Sequence, residues 1–191
     1  MAPRIRTLPE LLRRPTPEVA AALVGWRLIH GAVVVRIVET EAYLAQGDAA
    51  SHSACGRTNR NAAMFLAPGH AYVYLIYGVH HCLNVVTAPE GVGEAVLLRA
   101  AEPLTGHSEL VLRRGAGVRE RDLCRGPGRL CQALGLTRAH DGRALFAGEL
   151  RLEPPPTDEP RAELLIGPRV GITKSAELPL RFRAARSRFT S

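Results

Sequence analysis

The pattern of apolar and polar positions divides the first hundred residues into a short helix, five strands and one long loop. Thr16 suits a helix N-cap, Pro17 suits the first helical position, and the apolar stretch VAAALV follows them. Gly25 interrupts this stretch, so we expect the helix to run from about Pro17 to Val24. The residues before Thr16 are rich in Pro and Arg, and we expect an irregular arm there.

Two β-hairpins are predicted next. Residues 26–43 are rich in β-branched side chains and are broken only by His30-Gly31, which indicates two strands joined by a tight turn. Residues 70–87 repeat this pattern around Gly78. Each hairpin therefore supplies two neighbouring strands of a sheet.

Similar patterns predict elements in the rest of the chain. The apolar run EAVLLRAAEP indicates a buried strand that ends near Arg99. GHSELVLRR and GPGRLCQALGL are expected to be helices, and RVGITKSAE and LRFRAA are expected to be late strands. The proline-rich stretch PPPTDEP is expected to be a turn or loop. No internal repeat or domain boundary is evident, so we expect one domain.

Two carboxylates lie on one face of the second strand. Side chains alternate along a strand, which places Glu39, Glu41 and Tyr43 on the same side. A solvated strand face is the more common explanation for such a pair. The long loop that follows, residues 44–69, is typical of functional loops. It carries His52, although a lone loop histidine is more often a surface residue than a catalytic one.

The charge balance is compatible with a polyanionic partner. Of the 191 residues, 25 are Lys or Arg and 18 are Asp or Glu, a formal net charge of +7. Residues 101–191 carry 16 of the basic residues and 11 of the acidic ones, so we expect the basic surface mainly in the second half. Nucleic acid fits this balance, although a basic protein without such a partner fits it equally well.

Several protein classes are disfavoured by features that the sequence lacks. No signal-peptide core is evident, and no run approaches the roughly 20 apolar residues of a membrane span, so we expect a cytoplasmic protein without membrane contact. The motifs G-x-x-x-x-G-K-[ST] and G-x-G-x-x-G do not occur, and we expect no cofactor. The cysteines form no C-x-x-C pair and are expected to be buried free thiols: Cys55, Cys82, Cys124 and Cys131.

Metal and lysine chemistry are also weakly supported. A zinc site could be drawn from Glu41, His52, His80 and His81. No H-E-x-x-H spacing supports it, and adjacent histidines on a strand point to opposite faces, so we expect no metal. The only lysine, Lys174, is far in sequence from these residues, which favours water over a lysine as nucleophile.

The remaining polar and aromatic residues suit a pocket for a nucleobase. All four tyrosines lie between Tyr43 and Tyr77. Aromatic rings stack on bases, amides distinguish base edges, and a single carboxylate can activate water, which together suit a flipped nucleotide. Tyr77, beside a hairpin turn, could wedge between base pairs. Two alternatives to such an enzyme stay open. One is a non-catalytic nucleic-acid binding module in which the tyrosines stack on bases, and the other is a metal-dependent nucleic-acid hydrolase.

Seven motifs occur in order along the chain: VETEAYLAQGDAASHS, GRTNRNAAMF, APGHAYVYLIYG, CLNVVT, AVLLRAAEP, GPGRLCQALG and RVGITKSAELPLRF. Together they closely resemble the 3-methyladenine (alkyladenine) DNA glycosylase family, from about residue 7 to the end of the chain. The resemblance implies an α+β fold in a single compact domain, residues 1–191. It further implies a curved, mainly antiparallel β-sheet with flanking helices and a DNA-intercalating β-hairpin.

The resemblance also implies an activity. A member of this family is expected to be a monofunctional DNA glycosylase of base excision repair, which flips a damaged purine out of double-stranded DNA and leaves an abasic site. The expected bases are alkylated or deaminated purines, namely 3-methyladenine, 7-methylguanine, hypoxanthine and ethenoadenine. Water attacks deoxyribose C1′ without a cofactor, and we expect a nucleoid-associated monomer.

Roles for individual residues follow from the same resemblance. Glu41 matches the general base that activates water, and Arg99 and the backbone carbonyl of Val170 match groups that hold this water. Asn84 matches the side chain that disfavours guanine, and Glu39 is expected to form a structural ion pair rather than act as a second catalyst. Four further residues of this chain match the base pocket of the family: Tyr43, Ala50, His52 and Tyr74. The expected DNA contacts outside the pocket are Tyr77 as a wedge and Arg57, Gly128, Arg129 and Arg138 at phosphates.

Overall fold

Eight β-strands and four α-helices make up the regular structure of the computed structural model, which describes residues 5–191. The strands are β1 (Arg27–His30), β2 (Val33–Tyr43), β3 (Ala71–Ile76), β4 (His80–Val86), β5 (Ala95–Thr105), β6 (Leu150–Glu153), β7 (Leu164–Gly167) and β8 (Arg181–Ala184). The helices are α1 (Leu8–Leu11), α2 (Thr16–Leu23), α3 (His107–Arg114) and α4 (Pro127–Leu134). Short 3-10 turns lie at Ala62–Phe65, Glu120–Asp122 and Arg138–His140.

The strands form one antiparallel sheet in the order β3-β4-β5-β2-β1-β6, and β8 pairs with both β2 and β7. The first half of β2 pairs with β1 and its second half pairs with β8, and register shifts around Glu39 separate the two halves. Such irregularities bend a strand, so the sheet curls where its partner changes. The predicted α+β class, with a curved antiparallel sheet and flanking helices, is confirmed.

The helices pack apolar side chains against the sheet. Leu23 of α2, Leu98 of β5 and Leu130 of α4 are fully buried in one continuous apolar cluster. Burial of a side chain of this size stabilises the fold by about 1.5–3 kcal/mol. Three of the four cysteines are buried free thiols, as predicted, whereas Cys55 is exposed. In the described part of the chain, no helix has the length and apolar character to cross a membrane.

The predicted N-terminal structure needs two corrections. α2 begins at Thr16, and Pro15 rather than Thr16 occupies the N-cap position. The Thr16 hydroxyl is buried and lies 2.9 Å from the Thr87 hydroxyl and 2.5 Å from the Glu94 carboxylate, so it ties the helix to the region before β5. Within the predicted irregular arm, α1 forms a turn of helix capped by Thr7. The first four residues of the arm lie outside the described residues.

Most later predictions are confirmed, with two exceptions. Both hairpins, helices α3 and α4, and β8 within LRFRAA are present. β5 continues past Arg99 to Thr105, because its second half pairs with the first half of β2. The predicted strand at RVGITKSAE is wrong, since Gly171 and Ser175 have φ angles of 76° and 47°, which interrupt extended backbone. The pattern does not predict β6 and β7, which have only four residues each.

Candidate active site

Glu41 lies near the end of β2, and its carboxylate is completely buried. One oxygen accepts the backbone N–H of Val170 at 2.8 Å. The other oxygen accepts the Tyr43 hydroxyl at 3.0 Å and the Arg99 guanidinium at 3.4 Å. This strand face is therefore not solvated, and donors from two strands and a loop hold the carboxylate in one orientation.

Glu39 precedes Glu41 by two residues and is equally buried. Its carboxylate lies 2.5 Å from Arg181 and 3.3 Å from Arg99, and it accepts the backbone N–H of Ser191 at 2.6 Å. Arg99 thus lies between the two carboxylates. Glu39 forms the ion pair that the sequence predicts, and two guanidinium groups balance the two buried negative charges.

A cavity of about 220 Å³ adjoins the three groups that hold Glu41. Aromatic rings form much of its wall. The rings of His52 and Tyr74 meet edge to face with centroids 4.5 Å apart, and the Tyr72 ring lies 5.3 Å from that of Tyr74. Walls of this kind suit a flat aromatic ligand.

A larger cavity, about 970 Å³, lies between α2 and residues 159–164 and 184–189. Its lining is mixed in charge, and Arg36 pairs there with Glu102 and Glu159. None of the site residues predicted from the sequence lines it. The smaller cavity beside Glu41 is therefore the candidate active site.

Burial sets the protonation states of the aromatic wall. The pKa of His52 is lowered by burial and by the nearby Arg60, so its ring is neutral at pH 7. Nδ1 of His52 lies 2.8 Å from the Tyr72 hydroxyl, and a ring that accepts this bond carries its proton on Nε2. The pKa of Tyr43 is raised by burial and by Glu41, which keeps its hydroxyl a donor. The aromatic part of the wall is thus uncharged at neutral pH.

Comparison with known proteins identifies the family. The profile described as Methylpurine-DNA glycosylase (MPG) matches residues 10–188. The chain belongs to this family. Three relatives, each named "Putative 3-methyladenine DNA glycosylase", are similar to it over most of both chains. The Granulibacter bethesdensis protein is 51% identical over 93% of this chain and 83% of its own length. The Methanoculleus marisnigri protein is 48% identical over 97% of this chain and 98% of its own length. The Rhizobium meliloti protein is 50% identical over 95% of this chain and 94% of its own length.

The base-pocket residues predicted from the resemblance to this glycosylase family all line the smaller cavity. They are Tyr43, Ala50, His52, Tyr74 and Asn84. Asn84 is buried on β4, and its amide donates to the Tyr72 carbonyl at 3.0 Å. Ala50 lies in the loop after β2, and its N–H donates to Asp48 at 3.1 Å. The fold therefore brings these residues together, while their individual roles stay predictions.

Arg99 and Val170 also line the cavity. The contact of Val170 with Glu41 is made by its N–H group, whereas the resemblance assigns a role to its carbonyl. The carbonyl contact with water stays a prediction. Among residues 5–191, no group of three or more His, Cys, Asp or Glu side chains is placed to hold a metal ion.

Tyr77 lies at the tip of the β3–β4 hairpin, and 84% of its surface is exposed. Its φ angle is 54° and that of Gly78 is 72°, so two successive residues have the positive φ angles typical of a tight hairpin turn. This turn presents the Tyr77 ring to solvent. Arg57, in the loop after β2, and Arg129, in α4, are exposed as well.

The other two predicted phosphate contacts, Gly128 and Arg138, adjoin this hairpin. A Cβ atom at Gly128 would lie 3.0 Å from the His80 Cβ, so glycine lets α4 approach β4 closely. Arg138 donates to the Val73 carbonyl at 2.6 Å and lies 3.3 Å from Asp141. These contacts hold the Arg138 side chain beside β3. None of these contacts tests a role in DNA binding.

Three residues of the site are not predicted from the sequence. Tyr72 lines the cavity and contacts His52, and its alternation with Tyr74 is a signal that could have found it. Asp48 and Arg169 form a fully buried ion pair next to the Tyr43 ring. They are 121 residues apart, so only the fold brings them together.

Proposed function

We propose that this methylpurine-DNA glycosylase family member excises alkylated purines from double-stranded DNA, with Glu41 activating the water that attacks deoxyribose C1′. The buried Glu41 carboxylate, oriented by three donors beside an aromatic cavity, is the observation that supports this most. A fixed carboxylate next to a base-sized pocket suits hydrolysis of the bond between base and sugar.

The proposed reaction passes through an oxocarbenium-like sugar, which carries positive charge. A carboxylate near C1′ stabilises this charge and takes a proton from the attacking water. In this mechanism Arg99 and the carbonyl of Val170 hold the water, while the Val170 N–H fixes the carboxylate. In this mechanism Glu41 both stabilises the positive sugar and accepts the proton from water, so no second catalytic carboxylate is needed.

The proposed base pocket favours cationic purines. Tyr43 and Tyr74 stack on the flipped base, and the aromatic part of the wall, with neutral His52, does not repel a positive ring. Arg99, which also lines the cavity, is paired with Glu39 and Glu41. Asn84 is proposed to disfavour guanine because that base carries a 2-amino group. 3-Methyladenine and 7-methylguanine carry positive charge and leave without further protonation. Hypoxanthine and ethenoadenine are also proposed substrates, and they need an acid as they leave.

Water rather than lysine is the proposed nucleophile. Lys174, the only lysine of the chain, does not line the cavity. In this mechanism the enzyme forms no lysine Schiff base with the abasic sugar, and we expect the DNA strand to stay intact.

A duplex that bears one 3-methyladenine tests the proposal. We expect an abasic site in an unbroken strand, unchanged by EDTA. A non-catalytic binding module would bind the duplex without forming an abasic site, and a metal-dependent hydrolase would cut the phosphodiester and stop in EDTA. Either result contradicts the proposal. Parallel duplexes with 7-methylguanine, hypoxanthine or ethenoadenine define the range of bases.

Tyr77→Ala is expected to weaken binding to DNA with a flipped base. The exposed ring is proposed to fill the gap that the flipped base leaves, and aromatic stacking on a base contributes about 1–3 kcal/mol. Fluorescence anisotropy at fixed salt, with a duplex that holds an abasic analogue, measures the change. Tyr77→Phe keeps the ring and should bind as the wild type does. Equal affinity of the Ala variant and the wild type would remove the wedge role.

A further inference from the structure

A fully buried ion pair joins two loops beside the active-site cavity. Asp48 lies in the loop after β2 and Arg169 in the loop before β8, and neither side chain is exposed. The guanidinium donates to both carboxylate oxygens, at 2.6 and 2.7 Å, in a bidentate geometry. Replacement of such a pair by apolar residues is often neutral or stabilising, because desolvation offsets the attraction. The attraction between the two charges alone therefore does not explain it.

The Arg169 loop contacts three consecutive residues of β2. Nη1 of Arg169 donates to the Ala42 carbonyl at 2.9 Å, and its Cζ lies 4.6 Å from the centre of the Tyr43 ring. The next residue, Val170, donates its N–H to Glu41. The side chain and backbone of one loop thus hold both the proposed general base and the proposed stacking residue.

Asp48 extends the same set of contacts to the loop after β2. Its oxygens accept the backbone N–H groups of Leu44 and Ala50, each at 3.1 Å. Burial alone would raise the pKa of Asp48, but the bonds from Arg169 and from these amides lower it, so the carboxylate is charged. Ala50 lines the cavity, and its position therefore depends on the ion pair.

We propose that Asp48 and Arg169 are positioning residues, which keep the base-pocket wall and the Glu41 carboxylate in one relative geometry. This inference rests on the proposed function, because it assigns the pair to that site. The pair acts on Glu41 through Val170, and on the base through Tyr43 and Ala50. Displacement of reacting groups by about 1 Å can slow a reaction roughly 10²-fold, even when the substituted residue lies away from the chemistry.

The double variant Asp48→Leu/Arg169→Met separates positioning from stability. Both charges are removed together, so no unpaired charge is buried, but the Leu44 and Ala50 amides and the Ala42 carbonyl lose their partners. We therefore expect a lower melting temperature, and excision is measured well below it, where the variant is fully folded. We expect the single-turnover excision rate on 3-methyladenine DNA to fall roughly 10²-fold, with the affinity for undamaged duplex unchanged. The control is Arg36→Met/Glu102→Leu, which removes a partly exposed ion pair whose residues do not line this cavity. It should excise at the wild-type rate.

A folded double variant that excises at the wild-type rate would overturn the proposal. If the double variant does not fold, the single variant Arg169→Lys tests the positioning role instead. Lysine keeps the charge but lacks the planar fork that contacts Asp48, Ala42 and the Tyr43 ring together, so we expect slower excision by a variant that is still folded at the assay temperature. A wild-type rate in this variant overturns the proposal as well.

The wild-type protein in the same assay distinguishes the two proposals. Absence of excision by the wild type contradicts the proposed function itself. Excision by the wild type and equally by the folded variants contradicts only the positioning role of Asp48 and Arg169.

Discussion

Replacement of Glu41 by Gln is expected to remove most excision activity while the protein remains folded. Gln has the size of Glu and keeps an oxygen for the Val170 N–H, but it cannot take a proton from water. Loss of a general base slows a reaction by about 10²–10⁴-fold. Loss of the negative charge near C1′ also removes stabilisation of the oxocarbenium-like sugar. The single-turnover rate of abasic-site formation on 3-methyladenine DNA measures the effect.

Glu39→Gln is the matched control for this experiment. Glu39 is as buried as Glu41, lies on the same strand and pairs with the same Arg99. All three donors to Glu41 line the cavity, whereas Arg181 and Ser191, which bind Glu39, do not, so we expect Glu39→Gln to keep most of the excision rate. Equal losses in both variants would assign the effect to a lost buried charge rather than to base catalysis. Excision by Glu41→Gln at close to the wild-type rate would falsify the role of Glu41 as the base.

Local patterns are sufficient to predict the two hairpins and helix α4, which carry part of the site. The hairpins with Glu41 and Tyr77 are predicted correctly because each strand pairs with the next one along the chain. Helix α4 is predicted from Pro127 near its start and Gly135 at its end, which are local signals too. The grouping of Tyr43, Tyr74 and Asn84 around one cavity comes from the family resemblance, not from the pattern.

Contacts between distant segments account for what the sequence does not show. The pattern cannot decide whether the β2 face with Glu39 and Glu41 is solvated, because its burial depends on Arg99, Arg181 and Val170 from later segments. Contacts with distant segments also explain why the predicted strand at RVGITKSAE is wrong. Its apolar spacing indicates a strand, but in the fold its side chains and amides bond to β2 and to the loop after it.

Loss of Arg99 is expected to lower the stability of the protein strongly. Arg99 lies 3.3 Å from Glu39 and 3.4 Å from Glu41, and both carboxylates are fully buried. In Arg99→Met, Arg181 still pairs with Glu39, but Glu41 loses its guanidinium partner. Removal of one partner from a buried ion pair lowers the free energy of unfolding by about 3–5 kcal/mol. Urea unfolding followed by circular dichroism measures this change.

A second substitution distinguishes charge balance from packing. Arg99→Met/Glu41→Gln removes the guanidinium together with the carboxylate that it would leave unpaired, so we expect part of the lost stability to return and the effects of the two changes to be non-additive. If the double variant loses as much stability as the two single variants together, Arg99 acts through packing and the charge explanation is wrong. Excision should not recover in the double variant, because the guanidinium proposed to hold the water and the proposed general base are both absent. Stability and activity are therefore expected to respond differently to the same second substitution.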